Sequence, residues 1–203
     1  MLRVGVELPR VIDDAGEYLA NVTALEAAGA DTIWVDDTGL DPWVLLGAMA
    51  AVTIRARLGC LLTSTERRPS SRLGAAAATL QRLSRGRLVI AIPPQGRQRS
   101  RVAALRTAGA TTVYISGSME KTADGVILTV QSADQLSEVG GSAGQEVWAS
   151  IAIPADREGW ASALSAYEAA GASGVIVPWK DRLVDLLRNP EPDDRTDLLI
   201  ATG

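Results

Sequence analysis

The sequence predicts an α/β fold, a single small (β/α)8 TIM barrel with parallel strands, on three observations. Eight short β-rich apolar runs alternate with longer Ala- and Leu-rich segments whose apolar residues recur every three or four positions. The strand runs are continuously apolar rather than alternating, which suits a parallel sheet covered on its outer face. At roughly 25 residues per βα unit, eight units take up the whole chain of 203 residues, at the lower edge of the barrel size range of about 200 residues. Residues 1–203 are expected to form one domain.

Taken in order, the strands are RVGVEL at 3–8, TIWVD at 32–36, ARLGCLL at 56–62, RLVIAI at 87–92, TVYIS at 112–116, GVILTV at 125–130, EVWASIAI at 146–153 and GVIVPW at 174–179. Helices are expected at about 14–28, 41–52, 70–83, 98–108, 118–123, 132–139, 157–170 and 180–188. Gly29, Gly109 and Gly171 follow Ala-rich helices in AAGAD, TAGAT and AAGAS, where a residue tolerant of the left-handed conformation ends the helix before the next strand. Pro190 and Pro192 mark an exposed turn, after which LLIAT is either a last short strand or a tail packed on the barrel base.

Composition excludes several chemistries. The chain has no histidine, so Ser-His-Asp and Cys-His catalysis and His-bearing zinc sites are ruled out; acid–base work must fall to carboxylates, Tyr, Lys or water. A single cysteine, Cys60, forms no intrachain disulfide and, set in an apolar strand, reads as a buried inert thiol. The chain enters a strand directly and has no apolar stretch near the ~18 residues of a membrane helix, which predicts a cytoplasmic protein with no membrane partner. A net charge of −4 argues against nucleic acid. No G-x-G-x-x-G follows any strand, which disfavours a Rossmann site.

From Arg3 to Ile92 the order of features resembles the luciferase-like monooxygenase family, particularly its branch that uses a deazaflavin coenzyme. The resemblance is carried by VGVELPR, EAAGADTIWVDD, DPWVLLGAMAAVTIRARLG and RRPSSRLGAAAATLQRLSRGRLVIAI. Its most specific piece is the Arg-Pro, the Ala-rich helix ending T-L-x-x-L-S-x-G-R, and the strand that follows. VYISGSMEKTADGVIL is similar to the family's fifth strand, small-residue turn, short helix and sixth strand, and EVWASIAI and EAAGASGVIV match strands seven and eight more loosely.

This chain also departs from the family. It lacks the long insertions, above all the lid after the fourth strand, and it has Asp37-Thr38 where members often carry Asp-His. It has Pro93-Pro94-Gln95 where they have a Gly-rich turn, and Leu61 where a glycine commonly precedes a strained peptide.

The resemblance implies an oxidoreductase or monooxygenase that holds FMN or coenzyme F420 and passes a hydride to or from a small organic substrate. The alternative is a non-catalytic flavin-binding relative, or a partner subunit without a cofactor of its own, and the missing lid favours it. Fold alone does not choose between them.

In such a barrel the functional face lies at the C-terminal ends of the strands, which gathers Glu7, Asp36, Asp37, Thr63, Pro93, Ser116, Gly117, Ser118, Gln131 and Trp179 around one mouth. Glu7 is the candidate proton carrier, with Asp37 as a second candidate catalytic acid. Asp36 and Asp37 stand where the resemblance expects a cofactor-facing acid; the other reading is a helix-capping or salt-bridge acid at a strand end. Ser116, Gly117 and Ser118 form a small hydroxyl-rich turn that either presents N–H groups to a cofactor phosphate or caps a helix. Thr63 and Trp179 complete the cofactor-binding set, Trp179 by stacking on a ring. Arg67 and Arg68 are either a grip for phosphate or polyglutamate or a solvated loop.

The segment 41–52 is apolar on more than one face, so one-sided burial predicts that Trp43 or Met49 remains exposed and pairs the chain as a homodimer.

Overall fold

The computed structural model describes residues 2–62, 69–93, 98–115, 123–139 and 144–188. Eight parallel strands close into a barrel in sequence order: β1 (Arg3–Glu7), β2 (Thr32–Asp36), β3 (Arg57–Leu61), β4 (Leu88–Ile92), β5 (Thr111–Ile115), β6 (Gly125–Thr129), β7 (Glu146–Ser150) and β8 (Gly174–Pro178). Strand β8 returns to pair with β1 from Arg3–Gly174 to Glu7–Pro178, so the sheet has no free edge.

The helices are α1 (Ala15–Ala28), α2 (Pro42–Val52), α3 (Ser70–Leu83), α4 (Gln98–Thr107), α5 (Ala133–Val139), α6 (Arg157–Ala169) and α7 (Leu183–Arg188). The helix expected at 118–123 falls almost entirely outside the described residues, as does LLIAT.

Local chemistry sets the helix ends. Asp14, Asp41 and Asp156 cap α1, α2 and α6 by accepting from the backbone N–H of Glu17, Trp43 and Gly159 at 2.7, 2.9 and 2.7 Å. At the other end, Gly29, Gly109 and Gly171 all have positive φ, at 102°, 79° and 87°, as their place after Ala-rich helices predicts. Below the barrel, the buried Glu26 carboxylate on α1 accepts from the N–H groups of Ile54, Arg55 and Ala56, which fixes the turn that feeds β3. Burial alone would raise its pKa, but those three bonds and nearby Arg87 hold it below the ordinary value.

Strand register divides the core in two. Leu25, Ile33, Leu46, Met49, Leu58, Leu73, Ile90 and Trp160 belong to the larger cluster between sheet and helices. A separate cluster of Trp34, Val89, Ala91, Ile127, Trp148 and Ile176 fills the barrel interior, with Leu61 packed against it. Both interior indoles lie on strand glycines. A Cβ at Gly59 would stand 2.2 Å from Trp34 Cε3, one at Gly5 2.8 Å from Trp34 Nε1, and one at Gly174 2.5 Å from Trp148 Cζ3. The Trp34 ring therefore lies flat across β1, β2 and β3, its pyrrole edge over Gly5 and its benzo edge over Gly59.

The lower indole carries a charged plug. Trp148 Nε1 donates to Glu146 at 2.9 Å, and Glu146 also takes Arg3 at 2.9 Å and Arg57 at 3.1 Å. The two guanidiniums lie 5.0 and 5.9 Å from the Trp148 ring centroid. Burial would raise the Glu146 pKa, but its hydrogen bonds from Arg3 and Trp148 and the charge of Arg57 hold it low.

One sequence expectation is corrected. Trp43 and Met49 are both buried, at 8% and 0% exposure, because α2 is flanked by α1 and α3 and also covers the sheet. The exposed apolar side chains of this region are instead Val44 at 70% and Ile54 at 71%, with Val52 at the helix end.

Replacing Gly59 by Ala should destabilise the barrel by about 1–3 kcal/mol through overpacking, read as a fall in thermal midpoint of roughly 2–4 °C per kcal/mol. Combining it with Trp34→Leu should cost less than the two single changes summed, because the ring that clashes is gone. Strict additivity in that cycle would contradict the stacked arrangement.

Candidate functional site

At the C-terminal mouth the last inward-facing positions of β1 and β2 are Glu7 and Asp36, one step above Gly5 and Trp34. The same parity brings Leu61, Thr129, Ser150 and Pro178 to the rim of the other strands. The floor is apolar: the Trp34 indole, Ala91, Ile127 and Ile176. Two carboxylates over an apolar floor are costly to ionise together, so the site's electrostatics turn on how each is held.

Asp36 is buried and firmly held. Its Oδ1 accepts from the backbone N–H and the hydroxyl of Thr38 at 3.1 and 2.8 Å, and Arg10, from the loop after β1, forms an ion pair with its Oδ2. Of the two alternatives for a strand-end acid, Asp36 takes the salt bridge, and it ties down the turn at Thr38 rather than capping a helix. Glu7 is half-buried and differently placed. Burial first, and then the negative charge of Asp36, push its carboxyl above the ordinary range, and Arg10 only partly offsets them. The two neighbouring acids are therefore held differently, Asp36 by a cation and a turn and Glu7 with its pKa raised.

A third group belongs to the cluster. Tyr18 on α1 is buried, and burial followed by the Asp36 charge pushes its pKa up to about 12. Its hydroxyl has no hydrogen-bond partner among the described residues. Neither Tyr18 nor Arg10 was singled out by the sequence; the only signal was their proximity in the chain to the first strand.

The remaining expected residues separate. Asp37 is half-buried on the loop past β2, beyond the last inward position. Trp179 packs against the layer between sheet and helices rather than the interior cluster, and its backbone N–H donates to the Glu7 carbonyl at 2.8 Å. Gln131 lies in an exposed bend, and Pro93 directly follows β4. Thr63, Arg67, Arg68 and the Ser116-Gly117-Ser118 turn lie outside the described residues. Cys60 is fully buried on the outward face of β3. No helix among the described residues is long and apolar enough to cross a membrane.

The raised Glu7 pKa makes a prediction about stability. Unfolded, Glu7 ionises near 4.5, whereas folded it holds its proton to higher pH, so its ionisation disfavours folding once the pH passes 4.5. Glu7→Gln should therefore leave the thermal midpoint unchanged below pH 4.5 and raise it progressively above, levelling off beyond the folded-state pKa. A midpoint lowered by the substitution at pH 7 would contradict the reading.

Comparison with known proteins bears on what such a mouth belongs to. The profile of the luciferase-like monooxygenase family matches residues 3–108, just over half the chain. No curated protein matches it. Among solved structures, the coenzyme F420-dependent tetrahydromethanopterin reductase from Methanopyrus kandleri is 14% identical, with a TM-score of 0.71 over 93% of this chain and 98% of that one. An F420-dependent secondary alcohol dehydrogenase, solved with an F420–acetone adduct, is 12% identical, with a TM-score of 0.73 over 94% and 98%. Orotidine 5'-phosphate decarboxylase from Pyrococcus horikoshii OT3 is also similar, at 11% identity and a TM-score of 0.63 over 91% and 98%. At such identities the structural likenesses establish the barrel fold alone, whereas the profile match carries the family assignment. The chain belongs to the luciferase-like monooxygenase family.

Proposed function

We propose that this chain is an oxidoreductase that holds FMN or coenzyme F420 over the barrel mouth and transfers a hydride to or from a small organic substrate. The observation that carries the reading is the Glu7–Asp36 pair above the Trp34 floor, in which one acid is locked by Arg10 and Thr38 and the other has its pKa raised. Family membership, and the F420-dependent enzymes among its structural neighbours, support a coenzyme of this class.

The residues present fit the ring of such a coenzyme. A flat apolar floor of Trp34, Ala91, Ile127 and Ile176 suits its face, and the acid side of the mouth suits its polar edge. When bound, the coenzyme would supply the hydride chemistry, and the chain would supply binding, orientation and protons. Glu7, whose pKa is raised, would carry the transferable proton on its carboxyl, and Arg10 would hold Asp36 in an ion pair beside it. The packed floor excludes water from below. Ser116, Gly117 and Ser118 are proposed to hold the coenzyme phosphate, with Thr63 beside the ring and Asp37 as a secondary acid; Trp179, which packs between sheet and helices, does not join this set.

Titration of the purified chain with FMN and with F420, followed by absorbance, tests this. One of them should bind at micromolar concentration, and Gly117→Leu should weaken that binding at least ~10-fold by blocking close backbone approach. Unchanged affinity in the variant removes the phosphate site from that turn, and no binding of either coenzyme removes the oxidoreductase reading.

A second reading, a non-catalytic relative or partner subunit, is favoured by one feature. The connection from β4 to β5 is only residues 93–110 and includes α4, which leaves little chain to wall a substrate cavity. A coenzyme that binds but never changes redox state with reductant and candidate substrates would support it.

We also propose that the chain is a homodimer through the outer face of α2, where Val44 and Val52 are exposed on a helix without a single charge and Ile54 is exposed just past its end. A two-fold interface of standard size, about 800 Å² per partner, would cover them. Sedimentation at tens of micromolar should give twice the 21.3 kDa chain mass, and Val44→Asp should return it to monomer. A wild-type monomer would contradict the dimer.

A further inference from the structure

The two indoles inside the barrel lie on strand glycines in the same way but are partnered differently. Trp148 Nε1 donates at 2.9 Å to Glu146, the inward residue two positions before it on β7. Trp34 Nε1 is buried and has no acceptor among the described residues. A buried donor without an acceptor is costly, and one that persists in a packed core calls for a physical account.

The carboxyl set level with this indole is that of Glu7. Glu7 and Trp34 are Cα partners across the β1–β2 pair, and both side chains point into the barrel. The ring leans down from that level, so that its Nε1 would stand 2.8 Å from a Cβ at Gly5, two residues before Glu7 on β1. Glycine at this position leaves no side chain between the indole N–H and the carboxyl above it. Two residues of strand span roughly 6.6 Å, a gap that a glutamate folded down along its own strand closes to hydrogen-bonding reach. Burial and the Asp36 charge act on the Glu7 carboxyl and Arg10 partly offsets them, with no hydrogen bond among these influences. Asp36 from β2 and Arg10 from the loop after β1 are the charged groups that bear on Glu7. Tyr18 on α1, with its pKa pushed up to about 12, stays neutral where a carboxyl titrates, and β8 sets Pro178 opposite Glu7.

We propose that Trp34 is a positioning residue for Glu7: once the carboxyl has given up its proton, the carboxylate swings down to accept the indole N–H, and on regaining a proton it returns to the mouth. This role rests on the reading of Glu7 as the proton carrier and gives that carrier a second seat. A donor aimed at the ionised form stabilises it and draws it away from the like charge of Asp36. The protonated form needs no such donor and is released toward the mouth. Glu146 and Trp148 make the same pairing permanently, because Arg3 and Arg57 help to hold the Glu146 pKa low.

NMR of the full chain tests the switch. The five tryptophans give five indole N–H signals, which are assigned residue by residue. In the unmodified protein the Trp34 signal should move with pH along the Glu7 titration curve, while the Trp148 signal stays fixed over that range. Glu7→Gln should abolish the movement. Trp34→Phe keeps an aromatic ring in the floor but removes the N–H, and should raise the Glu7 midpoint, read from its labelled carboxyl carbon, by about one pH unit, as expected for the loss of a charge-assisted hydrogen bond. A Trp34 signal that ignores the Glu7 titration overturns the proposal and leaves the indole to the Thr32 hydroxyl, another buried group on this face of β2 without a partner among the described residues. A Glu7 midpoint unmoved in folded Trp34→Phe overturns it as well. If that variant does not fold, the pH course of the Trp34 signal in the unmodified protein and in Glu7→Gln decides. None of these measurements needs a coenzyme, so a failure to bind FMN or F420 would remove the oxidoreductase reading and leave their result standing.

Discussion

The arrangement on which the rest of this molecule depends is an indole laid flat on glycine inside a barrel of five-residue strands. Trp34 occupies the space that side chains at Gly5 and Gly59 would otherwise fill, and Trp148 does the same over Gly174. A barrel interior is a packed core, not a pore, and it has room for few side chains. Two large flat rings facing strands without side chains solve that packing problem with a small number of residues. The solution also creates a flat apolar surface one step below the mouth.

That surface sets the chemistry above it. Glu7 and Asp36 are brought together because β1 and β2 pair in a register that points both inward, and the floor beneath them is largely apolar. Arg10 and Thr38 satisfy Asp36, so the cost of burial falls on Glu7. The opposite end is balanced differently: Glu146 meets two arginines and an indole N–H, so its charge is stabilised and the base is sealed by an ion cluster. One end of the barrel thus holds a stabilised charge, and the other a carboxyl whose pKa is raised.

Much of this was legible in the sequence. Continuous apolar runs separated by Ala-rich helices gave the strand order and closure, since each pattern reports one residue's own burial. The three glycines after the Ala-rich helices announced their left-handed turns for the same local reason. Glu7 and Asp36 were found because strand ends in a barrel converge. What escaped was whatever depends on two distant residues at once. The sequence around Gly5, Gly59 and Gly174 carries no sign of the rings they face, because cross-strand register assigns each ring to its partner. Nothing local to Glu26 marks that it collects three backbone N–H groups from a turn roughly thirty residues away. The burial of Trp43 and Met49 required knowing that α2 has neighbours on both sides.

The central claim is that the mouth holds Glu7 as a proton carrier, and its direct measurement is the titration of the Glu7 carboxyl carbon by NMR in carboxyl-labelled protein. The account predicts a midpoint displaced above the ordinary 4.5, falling back toward it when Asp36 is replaced by Asn. A midpoint at or below 4.5 in the unmodified protein would contradict it.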